Sequence, residues 1–157
     1  MPGVRTKRSL LLGLLGAVSL AAVSGCCSTF DRDWDAAAAT PPPAGGFEGR
    51  WEGTWTSEEN GHTGGLRCII TRKQDSGFEA RYDATYDWCI FGFSFEYSVP
   101  MTAEREGEAW KFRGSAELGC WIAGGLYEYE GRIEGSDYAA TYKSDGDHGV
   151  FKLKRAK

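Results

Sequence analysis

The sequence predicts an all-β domain built as a single up-and-down antiparallel β-barrel of about eight strands. Three observations carry the prediction. From Phe47 onward, apolar residues recur at every second position, and no stretch repeats with a 3.6-residue period. The intervening positions are charged or hydroxylated, and short turns rich in Gly, Asn and Asp separate the runs, as hairpins require. Closing such a set of strands removes the unpaired edges that an open sheet would expose.

The chain before this domain reads differently. Arg5, Lys7 and Arg8 precede an apolar run from Ser9 to Val23. That run is too short and wrongly flanked for a spanning helix, and residues 1–25 read as an export signal that is removed. It ends in Val23-Ser24-Gly25-Cys26, which resembles the lipobox of bacterial lipoproteins: an aliphatic residue, two small ones, then cysteine. The resemblance implies that the Cys26 thiol receives a diacylglyceryl group, that cleavage leaves Cys26 as the amino terminus, and that this terminus is acylated. Several acyl chains hold firmly where one anchors marginally, each buried CH₂ being worth about 0.8 kcal/mol. The implied location is the bacterial cell envelope, anchored to a membrane, either the outer membrane facing the periplasm or the cell surface. Residues 26–46, "CCSTFDRDWDAAAATPPPAGG", lack a periodic apolar face and read as a flexible tether, with Trp34 a stray aromatic. A tether of that kind would hold the domain on the order of 25 Å from the membrane surface.

Removing residues 1–25 takes Lys+Arg from 18 to 15 against 22 Asp+Glu, a formal net charge of −7. An acidic chain with no basic cluster has no electrostatic footprint for nucleic acid. Within residues 47–157 the alternation marks each strand in turn. Trp51, Gly53 and Trp55 define the first, Leu66, Cys68 and Ile70 the second, and Phe78 to Tyr86 the third. Phe91 to Val99 follow, then Trp110 to Leu118, Tyr127 to Ile133, Tyr138 to Tyr142, and finally Phe151 and Leu153. In water this aromatic face must point inward, because the alternate positions carry Arg, Lys and Glu.

The pattern resembles the calycin group of small barrels, which includes lipocalins, fatty-acid-binding proteins and avidins. Its one local motif is Gly49-Arg50-Trp51 with Gly53-Thr54-Trp55; lipocalins similarly place a Gly-x-Trp on the first strand, where the tryptophan closes one end of the barrel. The chain is also similar to exported bacterial lipoproteins carrying GxWxGxW followed by NGHxGxLRC, a family from which no activity carries over. An eight-stranded barrel is just wide enough to be filled by its own side chains or to hold one small ligand. All seven tyrosines of the chain fall on the inward face, and buried hydroxyls need partners. Two interiors therefore remain open. One is a filled core. The other is a cup holding a small hydrophobic or amphipathic molecule, lined by Trp51, Trp55, Tyr82, Phe93, Tyr97, Trp110, Tyr127, Tyr129 and Tyr142.

In an up-and-down barrel alternate loops share an end. The tether enters at Phe47, so the loops after the first, third, fifth and seventh strands are expected to point away from the membrane. That end collects His62 and His148, with Asp147 beside them. Two imidazoles and a carboxylate are a conceivable metal set, but "NGH" and "DGDHG" are ordinary turn chemistry, and the expectation is no metal and no cofactor. The same end carries Trp88 and Trp121 as rim residues, and Cys89 and Cys120 close enough in expected register for a disulfide in an exported protein. Five cysteines are odd; assigning Cys26 to lipid leaves Cys27, Cys68, Cys89 and Cys120, with Cys68 inward and Cys27 without a reachable partner.

No G-x-S-x-G, H-E-x-x-H, P-loop or C-x-x-C is present. The acids of the strands lie on the outward face, with no desolvated cleft for paired-carboxylate chemistry. The expectation is a monomeric, non-catalytic protein, either a membrane-tethered module binding a small hydrophobic molecule or a structural and protein-interaction domain with a filled barrel.

Overall fold

The computed structural model describes residues 29–74, 77–88, 91–119 and 124–157. One helix, α1 (Thr29–Ala38), precedes eight strands: β1 (Gly49–Ser57), β2 (Thr63–Arg72), β3 (Phe78–Trp88), β4 (Phe91–Glu106), β5 (Ala109–Leu118), β6 (Gly125–Glu134), β7 (Asp137–Lys143) and β8 (His148–Arg155). Each strand pairs antiparallel with the next, and β8 returns to β1, so the sheet closes into an up-and-down barrel. The alternation sets which side chains go inward. In β7, Tyr138, Ala140 and Tyr142 are buried while the residues between them are exposed. Glycines at inward positions make room for neighbouring rings: a Cβ on Gly131 would lie 2.4 Å from Cζ of Phe112.

One end of the barrel is shut. Phe47, fully buried, inserts before β1 and packs against Phe78, Phe112 and Trp110 at centroid distances of 4.7, 5.4 and 5.9 Å. Above it, Trp51 packs on Tyr138, with centroids 5.7 Å apart. Cys68, Tyr82 and Val99 form the next buried layer. The Tyr82 and Tyr138 hydroxyls bond each other at 2.6 Å. Cys68 is a free, buried thiol whose pKa burial pushes well up.

The other end is open, and β4 explains why. This strand pairs with β3 along Phe91 to Met101 but with β5 only from Met101 to Glu106. Its ladder to β5 stops beside Pro100, which has no N–H to donate. The β3–β4 arm therefore rises free of β5 and leaves a seam at the mouth. Phe93 stands on this arm and is 52% exposed, so the expectation that it lines the interior fails: the alternation is right, but among the described residues no wall encloses it.

The second correction concerns residues 26–46, expected as a flexible tether. Thr29–Ala38 form a helix laid across the outer face of β1, β2 and β3, with Phe30 and Trp34 buried against Ile69. The two rings lie one helical turn apart, on the same face. Three arginines from successive strands meet them: Arg50 sits 4.9 Å from the Trp34 ring, and Arg67 and Arg81 sit 5.0 and 5.4 Å from the Phe30 ring. Ion pairs complete the dock, Arg67 with Asp31 and Asp83, Arg81 with Asp33 and Glu96. Thr40 and the run Pro41-Pro42-Pro43 end the helix, since proline supplies no donor and the residue before it disfavours helical geometry. The chain thus already lies on the barrel wall at Thr29, hydrogen-bonded to Arg81 of β3, well before Phe47. The loop orientation inferred from entry at Phe47 loses its basis.

Candidate functional site

The open mouth is a cup of about 260 Å³. Its lower wall is a run of tilted tyrosines: Tyr97 and Tyr129 at 6.3 Å, Tyr129 and Tyr127 at 6.4 Å, Tyr127 and Tyr142 at 6.1 Å. Phe95 stacks on Tyr97 at 5.4 Å, and Phe151 packs on Tyr142 at 5.1 Å. Across the cup, Trp55 lies 4.5 Å from Tyr86 and fixes its own ring by donating from Nε1 to the Thr85 carbonyl at 3.1 Å. The rings belong to β1, β3, β4, β6, β7 and β8, so the strand period of two brings them together from distant parts of the chain.

The rim is polar and held by turn chemistry. Asp147 accepts from the Ser57 hydroxyl at 2.6 Å and from the Tyr142 hydroxyl at 3.1 Å. Its backbone N–H is held by the Ser144 hydroxyl, so the carboxylate is positioned by both neighbouring strands and its own turn. Burial pushes the Tyr97 hydroxyl well above the ordinary tyrosine range, and raises Tyr129 and Tyr142 too, the last also through the Asp147 carboxylate. These phenols stay neutral across the physiological range and serve as donors.

Of the residues expected to line a ligand, Trp55, Tyr97, Tyr127, Tyr129 and Tyr142 come together around the cup. Trp51 and Tyr82 do not; they lie below, in the filled layers. Trp110 belongs to the shut end, where its Nε1 donates to the Gly45 carbonyl at 3.0 Å. Tyr86, Phe95 and Phe151 also line the cup, and the same alternation that marks their strands carries the signal for them. Asp147, a member of the conceivable metal set, instead ties the rim together through Ser57, Tyr142 and Ser144. His62 borders the cup, whereas His148 lies 3.4 Å from Glu59 outside it. Among the described residues no group of three or more His, Cys, Asp and Glu side chains is placed to hold a metal. The Cys89–Cys120 pair, Trp121, the side chain of Trp88, and Cys26 and Cys27 lie outside the described residues.

A second depression, about 640 Å³, runs over the outer faces of β4 to β8 and is bordered by Glu104, Lys111, Arg132 and Lys152. It is an open saddle of the curved sheet bordered by exposed charges, with Phe112 and Phe151 at its floor. The Ser57 hydroxyl in the cup bonds the Asp147 carboxylate directly, with no imidazole between them. The fold and site together define a closed eight-stranded barrel, plugged at one end by Phe47 and opening at the other into a tyrosine-lined cup. Comparison with protein-family models, with curated proteins and with solved structures finds no match to this chain.

Proposed function

We propose that this protein is an exported, lipid-anchored binding module of the bacterial envelope, calycin-like in character, that takes a small hydrophobic or amphipathic molecule without catalysing its conversion. The observation that carries the reading is the cup: an aromatic concavity with a few fixed polar groups is the usual form of a small-molecule site. Its volume, about 260 Å³, falls just under the usual range of about 300–1,000 Å³. With Tyr82, Trp51 and Phe47 filling the barrel beneath, the cup suits a head group or a short molecule and leaves no channel for a long acyl chain. The anchor is the Cys26 lipid implied by the lipobox, and a Cys89–Cys120 disulfide would brace the rim.

The filled layers favour a second reading, a structural or interaction domain of the envelope with no ligand. Organic extraction and mass spectrometry of the purified protein separate the two. A specific small molecule recovered from the wild type, and lost from Tyr129→Arg, supports binding; an empty extract supports the structural reading. Lipid-precursor labelling that survives Cys26→Ala would overturn the anchor. A mass unchanged by reduction would remove the disulfide.

A further inference from the structure

We infer that the cup recognises an organic cation, an alkylammonium or quaternary ammonium group, seated among the tyrosine rings with Asp147 as its counter-charge. The inference rests on the reading that the mouth is a ligand site, and it names the chemistry of the ligand.

Three observations carry it. First, five rings elsewhere in the protein already hold the protein's own cations. Arg50 and Arg67 cover Trp34, Arg67 and Arg81 cover Phe30, Arg72 covers Phe78, Arg105 covers Trp110, and Arg155 covers Trp51. Among the described residues no arginine or lysine lies over Phe95, Tyr97, Tyr127, Tyr129 or Tyr142. The negative faces of rings attract cations, and most strongly where water is scarce. Second, among the described residues the cup is lined by one carboxylate, Asp147, by one imidazole, His62, and by no lysine or arginine. Among the described residues the Asp147 oxygens accept from two neutral hydroxyls, those of Ser57 and Tyr142, which position its charge without neutralising it. Third, the described connections at this end, residues 58–62 and 144–147, contain Glu58, Glu59, Asp145 and Asp147 and no lysine or arginine, with Lys143 flanking them at the end of β7. A concave mouth bordered by an excess of negative charge concentrates the opposite ion.

A neutral apolar ligand would find the cup adequate but would gain nothing from the carboxylate. An anionic amphiphile would meet Asp147 and the acidic rim without a cationic partner. A tetrahedral ammonium with short alkyl groups gains from both the ring faces and the carboxylate, and its volume fits the space.

The test is a titration of the intact protein with hexyltrimethylammonium, 1-hexanol and hexyl sulfate, read by quenching of tryptophan fluorescence and by calorimetry. The cation is expected to bind at least tenfold more tightly than either comparator, with an affinity that falls as sodium chloride is raised. Asp147→Asn should reduce cation binding about fivefold and hexanol binding by clearly less, so that the ratio of the two affinities falls. Tyr127→Leu, which keeps an apolar wall but removes a π face, should erode the cation preference with the barrel intact by circular dichroism. Equal or tighter binding of hexanol or hexyl sulfate overturns the cation inference and leaves the binding module standing. Failure of all three probes to bind overturns both.

Discussion

The guanidinium of Arg155 lies 4.1 Å from the centroid of the Trp51 ring, and the two residues face each other across the β1–β8 seam that closes the barrel. The same group donates to the carbonyls of Glu48 at 2.9 Å and Gly46 at 2.7 Å. One side chain thus joins the last strand, the first strand and the segment that inserts Phe47. Arg155→Ala should cost about 2–4 kcal/mol, the sum of lost charged hydrogen bonds and a cation–π contact. Arg155→Lys should recover less than half, because an ammonium cannot span two carbonyls and lie flat on a ring. Denaturant unfolding of the three proteins measures both, and a lysine variant as stable as wild type would show that charge alone matters.

The helix is docked chiefly by two rings. Burying a phenylalanine fully is worth about 1.5–3 kcal/mol, so Phe30→Ala should weaken docking by that order and Phe30→Ala with Trp34→Ala should release α1. Arg32, exposed on the helix, would then become a site for trypsin. Cleavage there should accelerate severalfold while near-ultraviolet circular dichroism of the barrel stays unchanged. Unaltered cleavage in the double variant would mean that the ion pairs suffice.

Acid should undo the same dock. Hydrogen bonds from Arg81 and Arg32 hold the Asp33 carboxyl below its ordinary value of 3.8. Its folded pKa is depressed, so the contribution is complete above about pH 4 and is lost as pH falls through the folded value. Trypsin cannot report at that pH, but pepsin or amide exchange over Thr29–Ala38 can. Asp33→Asn should show weakened protection already at neutral pH, with a smaller further loss on acidification.

Alkali should act on the interior. Burial raises the pKa of Tyr82, Tyr97 and Tyr138 well above 10. A folded pKa above the unfolded one means stability is undiminished below about pH 10 and declines as pH rises beyond it, by about 1.4 kcal/mol per pH unit for each such tyrosine. Tyrosinate absorbance should therefore rise in one cooperative step together with loss of near-ultraviolet circular dichroism. Gradual ionisation in a barrel that stays folded would show that the phenols are reached by solvent.

The barrel was legible because its signal is local. Every strand announces itself by alternation, and Trp55, Tyr97 and Tyr129 reach the cup for no reason beyond parity and position along a strand. Depth along the axis was not legible. Trp51 and Trp55 look alike in sequence, yet one lies in the filled layers and the other at the mouth, because Phe47 enters from one end only. Phe93 fails for a related reason: parity says which side of the sheet a residue faces, not whether an opposite wall exists. The helix was missed because its apolar face is only two rings wide, and its partners Arg50, Arg67 and Arg81 belong to three different strands. Phe30 and Trp34 at a spacing of four, followed by four alanines, were the available sign.

Docking of α1 bears on how a lipid at Cys26 would hold the protein. Only Cys27 and Ser28 separate that position from the first residue of the helix. Even fully drawn out, the three steps from Cys26 to Thr29 span about 10 Å. A long leash sets how far a domain may wander and leaves its attitude free. A mooring this short would confine the contact instead: if Cys26 carries the lipid, the flank of the barrel near Arg81 and Glu96, where Thr29 is bonded, would be the part kept near the bilayer.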